Sequence, residues 1–323
     1  MQNPTAHRFH TFNFAAPQRI LVATDLTDCD YLVPYVVAQA KASNARVTLV
    51  HAIAPANSFP AEAGAIAYGD RDCIDRDARA VLLKMAWQIE AHGIVCNIDV
   101  QHGFASDVVR EALLDTGATR LIIGTHGRGK LGQFALGSVA NELLKTVEVP
   151  IFAVGPGVLN SADHATPKKI LHPVSLVGDF QKSVDFAVDL ARSYGAELTL
   201  LHVMTPDFGK KGSERSLTWG RNALSALVPP KGELGQPVQF MTVCGKAIEE
   251  ILSAATRINA DWIVLGVDAD TPAWSLKDSL AYRVLAGATC PVCTIRHDPL
   301  AAESVSVKLA AKQDVNHIVE VLA

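Results

Sequence analysis

Charge is scarce in this chain, and neither sign dominates. Charged residues make up 19% of its 323 residues, and 29 basic against 33 acidic side chains leave a net charge of −4. No basic stripe with interleaved aromatic residues occurs, so the composition argues against nucleic-acid binding. No apolar run approaches the roughly 20 residues of a membrane span, so we expect neither a transmembrane helix nor a membrane partner.

Cysteines are few and scattered, which excludes a small disulfide-stapled scaffold. Cys290 and Cys293 form a CxxC pair, but they lie in CPVCTI, a segment typical of a buried strand rather than of a redox motif. The opening segment MQNPTAHRFHTFNF has neither a sustained apolar core nor a cleavage site of the secretory type. We therefore expect a cytoplasmic protein.

Glycines cluster between Gly124 and Ser138, in the segment GTHGRGKLGQFALGS. The run TRLIIG precedes this segment and apolar residues follow it at helical spacing, so it connects a strand to a helix. Backbone N–H groups of such a connection converge on an anion at the start of a helix, and Arg128 and Lys130 supply opposite charge. The segment predicts a phosphate-binding loop. The alternative is a glycine-rich turn with solvated basic residues.

Two better-known nucleotide motifs fit this segment less well. Gly127, Gly129 and Gly132 spell GxGxxG, but the dinucleotide fingerprint follows the first strand of a βαβ unit, whereas this segment follows a fourth strand. The residues from 124 to 130 spell GxxxxGK, yet Leu131 stands where a P-loop needs Ser or Thr to hold magnesium. A Walker-type NTPase is therefore disfavoured.

The chain contains an internal duplication. Three segment pairs recur in the same order: RILVAT and KILHPV, ARVTLVHAI and AELTLLHVM, and ATRLIIG and ADWIVLG. The offset between the copies falls from 150 at Ile20 and Ile170 to 142 at Gly124 and Gly266. The first copy therefore carries extra residues between its second and third strands.

Strands and helices are predicted to alternate in each copy. The first copy has apolar, β-branched runs near 19–24, 46–53, 95–101, 119–124 and 150–154. Helical stripes between them, such as Val33, Val36, Val37 and Ala40, predict helices that cover a sheet. This alternation favours parallel strands with helices on both faces and a ligand at the carboxyl ends of the strands. Asp25 and the glycine segment both fall at those ends.

The spacing G-x2-G-x9-G-S, met by Gly124, Gly127, Gly137 and Ser138, resembles the ATP-binding motif of the universal stress protein family. The segments ILVATD, TLVHAI and VPIFAV are similar to the family's first, second and last strands. The resemblance implies two tandem Rossmann-like domains, each a five-stranded, mainly parallel sheet with helices on both faces. We place domain 1 at residues 1–155, domain 2 at 168–297 and a C-terminal tail at 298–323.

The resemblance also implies ATP, alone or with Mg²⁺, or another adenine nucleotide as the ligand. Asp25 matches an acidic position in the family's adenosine pocket, although the same side chain could serve as a helix N-cap. The backbone at Ala52 would lie beside the base. The predicted nucleotide-binding residues are Thr24, Asp25, Ala52, Ile123, Gly124, Gly127, Arg128, Gly137, Ser138 and Val139.

The second copy departs from this motif. Ala269 and Asp278 replace the second and third motif glycines, and Ser175 stands opposite the acidic residue of the first copy. Asp268 and Asp270 place negative charge where the first copy is basic, and like charges at close range repel by at least about 1 kcal/mol even in water. We expect no ATP in this copy.

Histidines are expected to be mainly structural. His51 and His202 occupy equivalent strand positions, and no residues at metal-ligand spacing surround them, so we predict no metal site. His126 lies inside the glycine segment, where it would either donate to a phosphate oxygen or face solvent.

The resemblance alone implies a stress-response protein in which the first domain binds nucleotide and the second is structural or regulatory. One alternative is a slow ATPase or nucleotide-transfer enzyme, for which Glu142 is the only nearby carboxylate on its helix. Another is a ligand-free scaffold that assembles through its last strands or its tail. We expect the two domains to pair within the chain, and a homodimer remains open.

Overall fold

The described residues include ten strands, which form one continuous sheet in the order β3-β2-β1-β4-β5-β10-β9-β6-β7-β8. The computed structural model describes residues 18–55, 71–125, 137–155, 158, 165–177, 180–204, 214–229, 235, 237–267 and 280–296. Within each half the strands are parallel, and β5 and β10 join the halves in antiparallel pairing. The predicted pair of five-stranded parallel sheets is confirmed.

The first half alternates strands and helices as the sequence predicts. Its elements are β1 (Arg19–Ala23), α1 (Cys29–Ser43), β2 (Arg46–Ile53), α2 (Arg71–Glu90), β3 (Cys96–His102), α3 (Ala105–Thr116), β4 (Arg120–Gly124), α4 (Ser138–Thr146) and β5 (Ile151–Val154).

The second half repeats this order. Its elements are β6 (Lys169–Pro173), α5 (Gln181–Tyr194), β7 (Glu197–Met204), α6 (Glu214–Ser225), β8 (Val238–Cys244), α7 (Ala247–Ile258), β9 (Trp262–Val267), α8 (Leu280–Gly287) and β10 (Val292–Arg296).

The extra residues of the first copy lie between β2 and β3, as predicted. Helix α2 has 20 residues, whereas its counterpart α6 has 12. Part of the surplus is therefore helical. Residues 56–70, where the sequence also places surplus residues, lie outside the described ranges.

Helices cover both faces of the sheet, and the core is continuous across the two halves. One buried apolar cluster takes residues from α1, α2, α5 and α6 and from one face of the strands. A second takes residues from α3, α4, α7 and α8 and from the opposite face. Val36 and Val37 of the predicted stripe on α1 are buried in the first cluster.

Left-handed residues end four helices at matching points of the two copies. Asn44 and Gly195 cap α1 and α5, and Gly117 and Asn259 cap α3 and α7, all with φ between 47° and 65°. Gly and Asn are the residue types that tolerate this conformation best. At each of these two points, one copy of the chain therefore uses Gly and the other uses Asn.

The CxxC pair belongs to the core, in agreement with its predicted packing role. Cys290 is 6% exposed and Cys293 is 1% exposed. Burial raises the pKa of both thiols, to about 12 for Cys290. Neither thiol is therefore activated as a nucleophile.

Candidate nucleotide site

The carboxyl ends of β1, β2 and β4 lie side by side at one edge of the sheet. Ala23, the last residue of β1, is in register with Val50 on one side and Ile123 on the other. The backbone N–H of Thr24 donates to Val50 O at 3.1 Å. The turn after β1, which carries Asp25, therefore starts between the end of β4 and the part of β2 that leads to Ala52.

Asp25 shapes this turn. Its Oδ1 accepts hydrogen bonds from the backbone N–H of Thr27 at 2.8 Å and from Thr27 Oγ1 at 2.6 Å. Leu26, between them, has a φ of 73°, which is uncommon for a side chain of its size. Backbone strain of this kind is concentrated at functional sites.

The N-cap position of α1 belongs to Asp28, not to Asp25, and Asp28 makes no side-chain capping bond. Its carboxylate instead accepts a hydrogen bond from the Thr24 hydroxyl and lies against the backbone of Gly124. Asp28 is only 3% exposed. Burial raises its pKa to about 7, the Thr24 hydrogen bond opposes this rise, and the charge of Asp25 adds to it.

Asp28 is the residue of this site that the sequence analysis did not identify. The available signal was the second acid of the segment ATDLTD, three residues after Asp25. Only the fold shows that it ties the end of β1 to the end of β4, because Gly124 is distant in sequence.

Gly124, the first motif glycine, makes room for this acid. A β-carbon at Gly124 would lie 2.2 Å from Asp28 Oδ2 and 2.9 Å from the hydroxyl of Tyr31. Burial, followed by the charges of Asp28 and Asp25, raises the pKa of Tyr31. The close approach that requires glycine here is therefore made by the protein's own side chains.

The two ends of the glycine segment meet beside β4. Thr125 donates from its N–H to Val154 O at 2.9 Å, and Gly137 donates from its N–H to Thr125 O at 2.9 Å. Helix α4 therefore begins next to the end of β4, with Ser138 and Val139 exposed at its first turn. The predicted phosphate ligands Gly127 and Arg128, with His126, lie outside the described residues.

The remaining predicted residues differ in how far their side chains are exposed to solvent. The side chain of Ile123 is 3% exposed and packs in the core, so only its backbone faces the edge of the sheet. Ala52 is half-buried near the end of β2. Asp25 is likewise half-buried, with a carboxylate that can accept hydrogen bonds from hydroxyl or amino groups. Glu142, the acid considered for catalysis, is exposed on α4.

The two strand histidines have the structural role predicted for them. His51 Nδ1 donates to Thr24 O at 2.8 Å, and His202 Nδ1 donates to Val174 O at 3.0 Å. These bonds hold the turn after the first strand of each half. They also confirm that Val174 is the counterpart of Thr24, which places Ser175 opposite Asp25.

Ser175 holds a similar turn without a carboxylate. The hydroxyl of Ser175 donates a hydrogen bond to Val177 O at 3.0 Å. The same hydroxyl accepts a hydrogen bond from the backbone N–H of Val177 at 3.4 Å. The second half therefore keeps the turn and lacks the acid. The segment with Asp268, Ala269, Asp270 and Asp278 lies outside the described residues.

The described part of the chain contains no candidate metal site and no candidate membrane span. No cluster of three or more His, Cys, Asp or Glu side chains there could hold a metal ion. No helix within those ranges is both long and apolar enough to cross a bilayer.

The repeated alternation of parallel strands and helices, with a candidate site at the carboxyl edge of the sheet, is that of a Rossmann-like α/β protein with two repeated domains. The family model described as "Universal stress protein family" matches residues 17–155 and again 166–296. The chain belongs to the universal stress protein family.

A relative of similar length and two solved structures resemble this chain. A universal stress protein of Mycolicibacterium smegmatis is 25% identical over 307 residues, covering 86% of this chain and 96% of that protein. A universal stress protein from Archaeoglobus fulgidus shares the fold with a TM-score of 0.66 and 19% identity, covering 89% of this chain and all of that one. A shorter universal stress protein, solved in complex with cAMP, covers 43% of this chain with 22% identity and a TM-score of 0.32.

Proposed function

We propose that this protein is a cytoplasmic stress-response protein that binds ATP, or another adenine nucleotide, at the carboxyl edge of its first domain. Asp25 and Thr24 with the backbone at Ala52 would hold adenosine. The glycine segment, through Gly127, Arg128, Gly137 and Ser138, would hold the phosphates. Gly124, Ile123 and Val139 would complete the walls, and Mg²⁺ would enter with the nucleotide.

One observation carries the proposal. The N–H of Gly137 bonds to Thr125 O, and β4 lies next to β1, so the start of α4 and the acidic turn after β1 share one edge of the sheet. A helix N-terminus favours phosphate, and a carboxylate favours the hydroxyl and amino groups of adenosine. An adenine nucleotide carries both kinds of group, because its phosphates lie a short distance from the hydroxyl and amino groups of adenosine.

The second domain would have a structural or regulatory role. It keeps the turn at Ser175 without a carboxylate, and its counterpart of the glycine segment carries Asp268 and Asp270 where the first copy has Arg128 and Lys130. We therefore propose one nucleotide per chain. A hydrolytic enzyme is less well supported, because Glu142 is exposed on α4 and no residue in the described part of the chain orients its carboxylate as a base.

The first test is the identity of any small molecule that copurifies with the protein. Freshly purified protein is denatured, and the released compounds are measured by mass spectrometry beside titrations with ATP and Mg²⁺. We expect about one adenine nucleotide per chain. No released nucleotide, together with no thermal shift on adding ATP and Mg²⁺, would support a ligand-free scaffold.

Two isosteric variants assign the site. Gly137→Asp copies the acid found at the equivalent position of the second domain, and Gly137→Asn has the same shape without the charge. The φ of −59° at Gly137 is accessible to both residues. We expect Gly137→Asp to weaken ATP binding at least about tenfold more than Gly137→Asn, because a carboxylate repels phosphate. Equal affinities would place the phosphates elsewhere.

A further inference from the structure

The junction between the two halves has an approximate two-fold axis that passes between Phe152 and Cys293. Phe152 on β5 is directly opposite Cys293 on β10 in the antiparallel register. These two positions are also equivalent in the duplicated sequence, because the segments VPIFAV and CPVCTI align at their prolines. Each residue therefore faces its own counterpart, and the two counterparts differ.

We infer that this junction selects unlike halves: the β5 edge of the first domain fits the β10 edge of the second, and neither fits a copy of itself. The partner that the junction accepts is a domain of the same fold with complementary side-chain volume and charge. In this chain the other half provides that partner.

The volumes on the axis are the first reason. Phe152 and Cys293 are each 1% exposed, so both fill space in a closed core. Pairing two first domains would place two phenyl rings where one ring and one thiol now fit, which overpacks the core. Pairing two second domains would place two thiols there and leave a cavity. Only the unlike pair combines one large and one small side chain.

The flanking residues are the second reason. Arg120 on β4 and Trp262 on β9 begin the equivalent segments RLIIG and WIVLG, and both are buried, at 3% and 1% exposure. Arg120 Cζ lies 5.9 Å from the centre of the Phe152 ring, and Arg120 Nη1 donates to Gln39 Oε1 at 3.3 Å. Trp262 packs edge-on against Phe152 with ring centres 5.3 Å apart.

The last residues of two equivalent helices extend this asymmetry. Tyr194 ends α5 and packs edge-on against Trp262 at 5.2 Å, whereas its counterpart Ser43 ends α1. Burial lowers the pKa of Arg120, and the nearby phenol of Tyr194 opposes this change. Two first domains would bury two guanidinium groups around the axis, each keeping Phe152 and Gln39 of its own half but losing the nearby phenol of Tyr194. Such charges are costly to bury unless they are compensated.

The test is a residue exchange in the full-length chain. Cys293→Phe opposes two phenyl groups, Phe152→Cys opposes two thiols, and the double exchange Phe152→Cys/Cys293→Phe restores one of each. We expect both single variants to lower the urea midpoint of unfolding. We expect the exchange variant to recover most of that loss. If Cys293→Phe alone fails to fold, recovery of a folded protein in the exchange variant is the expected result.

The matched control is Phe152→Cys/Cys290→Phe, which has the same composition as the exchange variant. Cys290 is also buried but does not face Phe152, so this control should unfold at a lower urea concentration than Phe152→Cys alone. If the exchange variant loses as much in its urea midpoint as the two single variants lose together, the inference is overturned.

Hydrogen exchange of the wild-type protein gives an independent readout. The amides of β5 and β10 should remain protected at every protein concentration, because both strands are paired within one chain. A dimer whose dissociation on dilution deprotects β5 and β10 would overturn the inference, since these edges would then be pairing like halves of two chains.

Discussion

Asp28 is the most perturbed acid of the candidate site, and its environment has consequences for stability. Its carboxylate is buried between the Thr24 hydroxyl and the Gly124 backbone, close to the negative charge of Asp25. These surroundings favour the neutral acid. Folding therefore takes up a proton at pH values where an unfolded aspartate is ionised.

Replacing Asp28 by Asn should remove one component of the pH dependence of stability. The pKa of Asp28 is about 7 in the folded protein against 3.8 when unfolded, so the wild type should lose stability as the pH rises from about 4 to about 7. The loss from this residue is about 4 kcal/mol at most. The Asp28→Asn variant keeps the shape of the side chain and loses the titration. Urea unfolding of both proteins between pH 4 and pH 8 measures the difference, and parallel curves would contradict the assignment.

Replacing Asp25 by Ser should separate binding from folding, because Ser175 already holds the same turn in the second domain. We expect Asp25→Ser to retain nearly all of the free energy of unfolding and to weaken ATP binding by about tenfold or more, the usual cost of losing a hydrogen bond to a charged group. Calorimetric titration with ATP measures the affinity. The control is Ser175→Ala, which should leave the affinity unchanged. Unaltered binding by Asp25→Ser would remove Asp25 from the site.

Single residues of the site were predicted unevenly from the sequence. The part of Asp25 in nucleotide binding stays a prediction. Its position at the carboxyl end of β1 could be anticipated from the apolar strand run that precedes it. The role of Asp28 could not, since it depends on Gly124, which is far away in sequence. Gly124 was predicted to make room for a ligand, and the group that it accommodates among the described residues is Asp28.

The strands and helices were predicted more completely than the contacts between them. Each strand of the first half lies within one residue of its predicted position at either end, because short β-branched runs between helical stripes leave little choice. The alternation and the family resemblance predicted a mainly parallel sheet in each half, but the order of its strands is known only from the structure. The pairing of β5 with β10 could not be derived from periodicity, because no local pattern records which edges meet.

At the scale of elements, the end of β4 lies so close to the start of α1 that a glycine, Gly124, is required there. Gly124→Ala would bring a β-carbon to 2.2 Å from Asp28 Oδ2, so we expect a loss of about 1–3 kcal/mol of stability from overpacking. Combining it with Asp28→Ala should cost less than the sum of the two single changes. Urea unfolding of the single and double variants measures this coupling.

The control for Gly124→Ala is Gly155→Ala at the end of the neighbouring strand. There a β-carbon would lie 3.2 Å from Thr125 Oγ1, a contact that a small shift relieves. The cost should be below that of Gly124→Ala. Equal costs at the two positions would show that Asp28 does not constrain β4.

At the scale of the whole molecule, pairing of β5 with β10 changes the scaffold alternative. That alternative offered the last strands as an assembly surface, and within this chain they already pair with each other. Among the described residues, the strands that end the sheet are β3 and β8, at the far side of each half. An assembly of several chains would therefore need those edges, a helical face or the tail, and not the last strands.

Both halves also contribute to the same two apolar clusters, one on each face of the sheet. Separating the halves would open both clusters at once. The two domains therefore have no boundary at which one could unfold and leave the core of the other intact.

We accordingly expect a single thermal unfolding transition for the whole chain, which ATP binding to the first domain should shift as one unit. At 100 times its Kd, ATP adds about 2.7 kcal/mol and should raise the Tm by roughly 5 °C for a protein of this size. Differential scanning calorimetry with and without ATP and Mg²⁺ measures the shift, and Asp25→Ser should reduce it by about half or more at the same ATP concentration. Two transitions, of which ATP moves only one, would show that the shared core does not couple the halves.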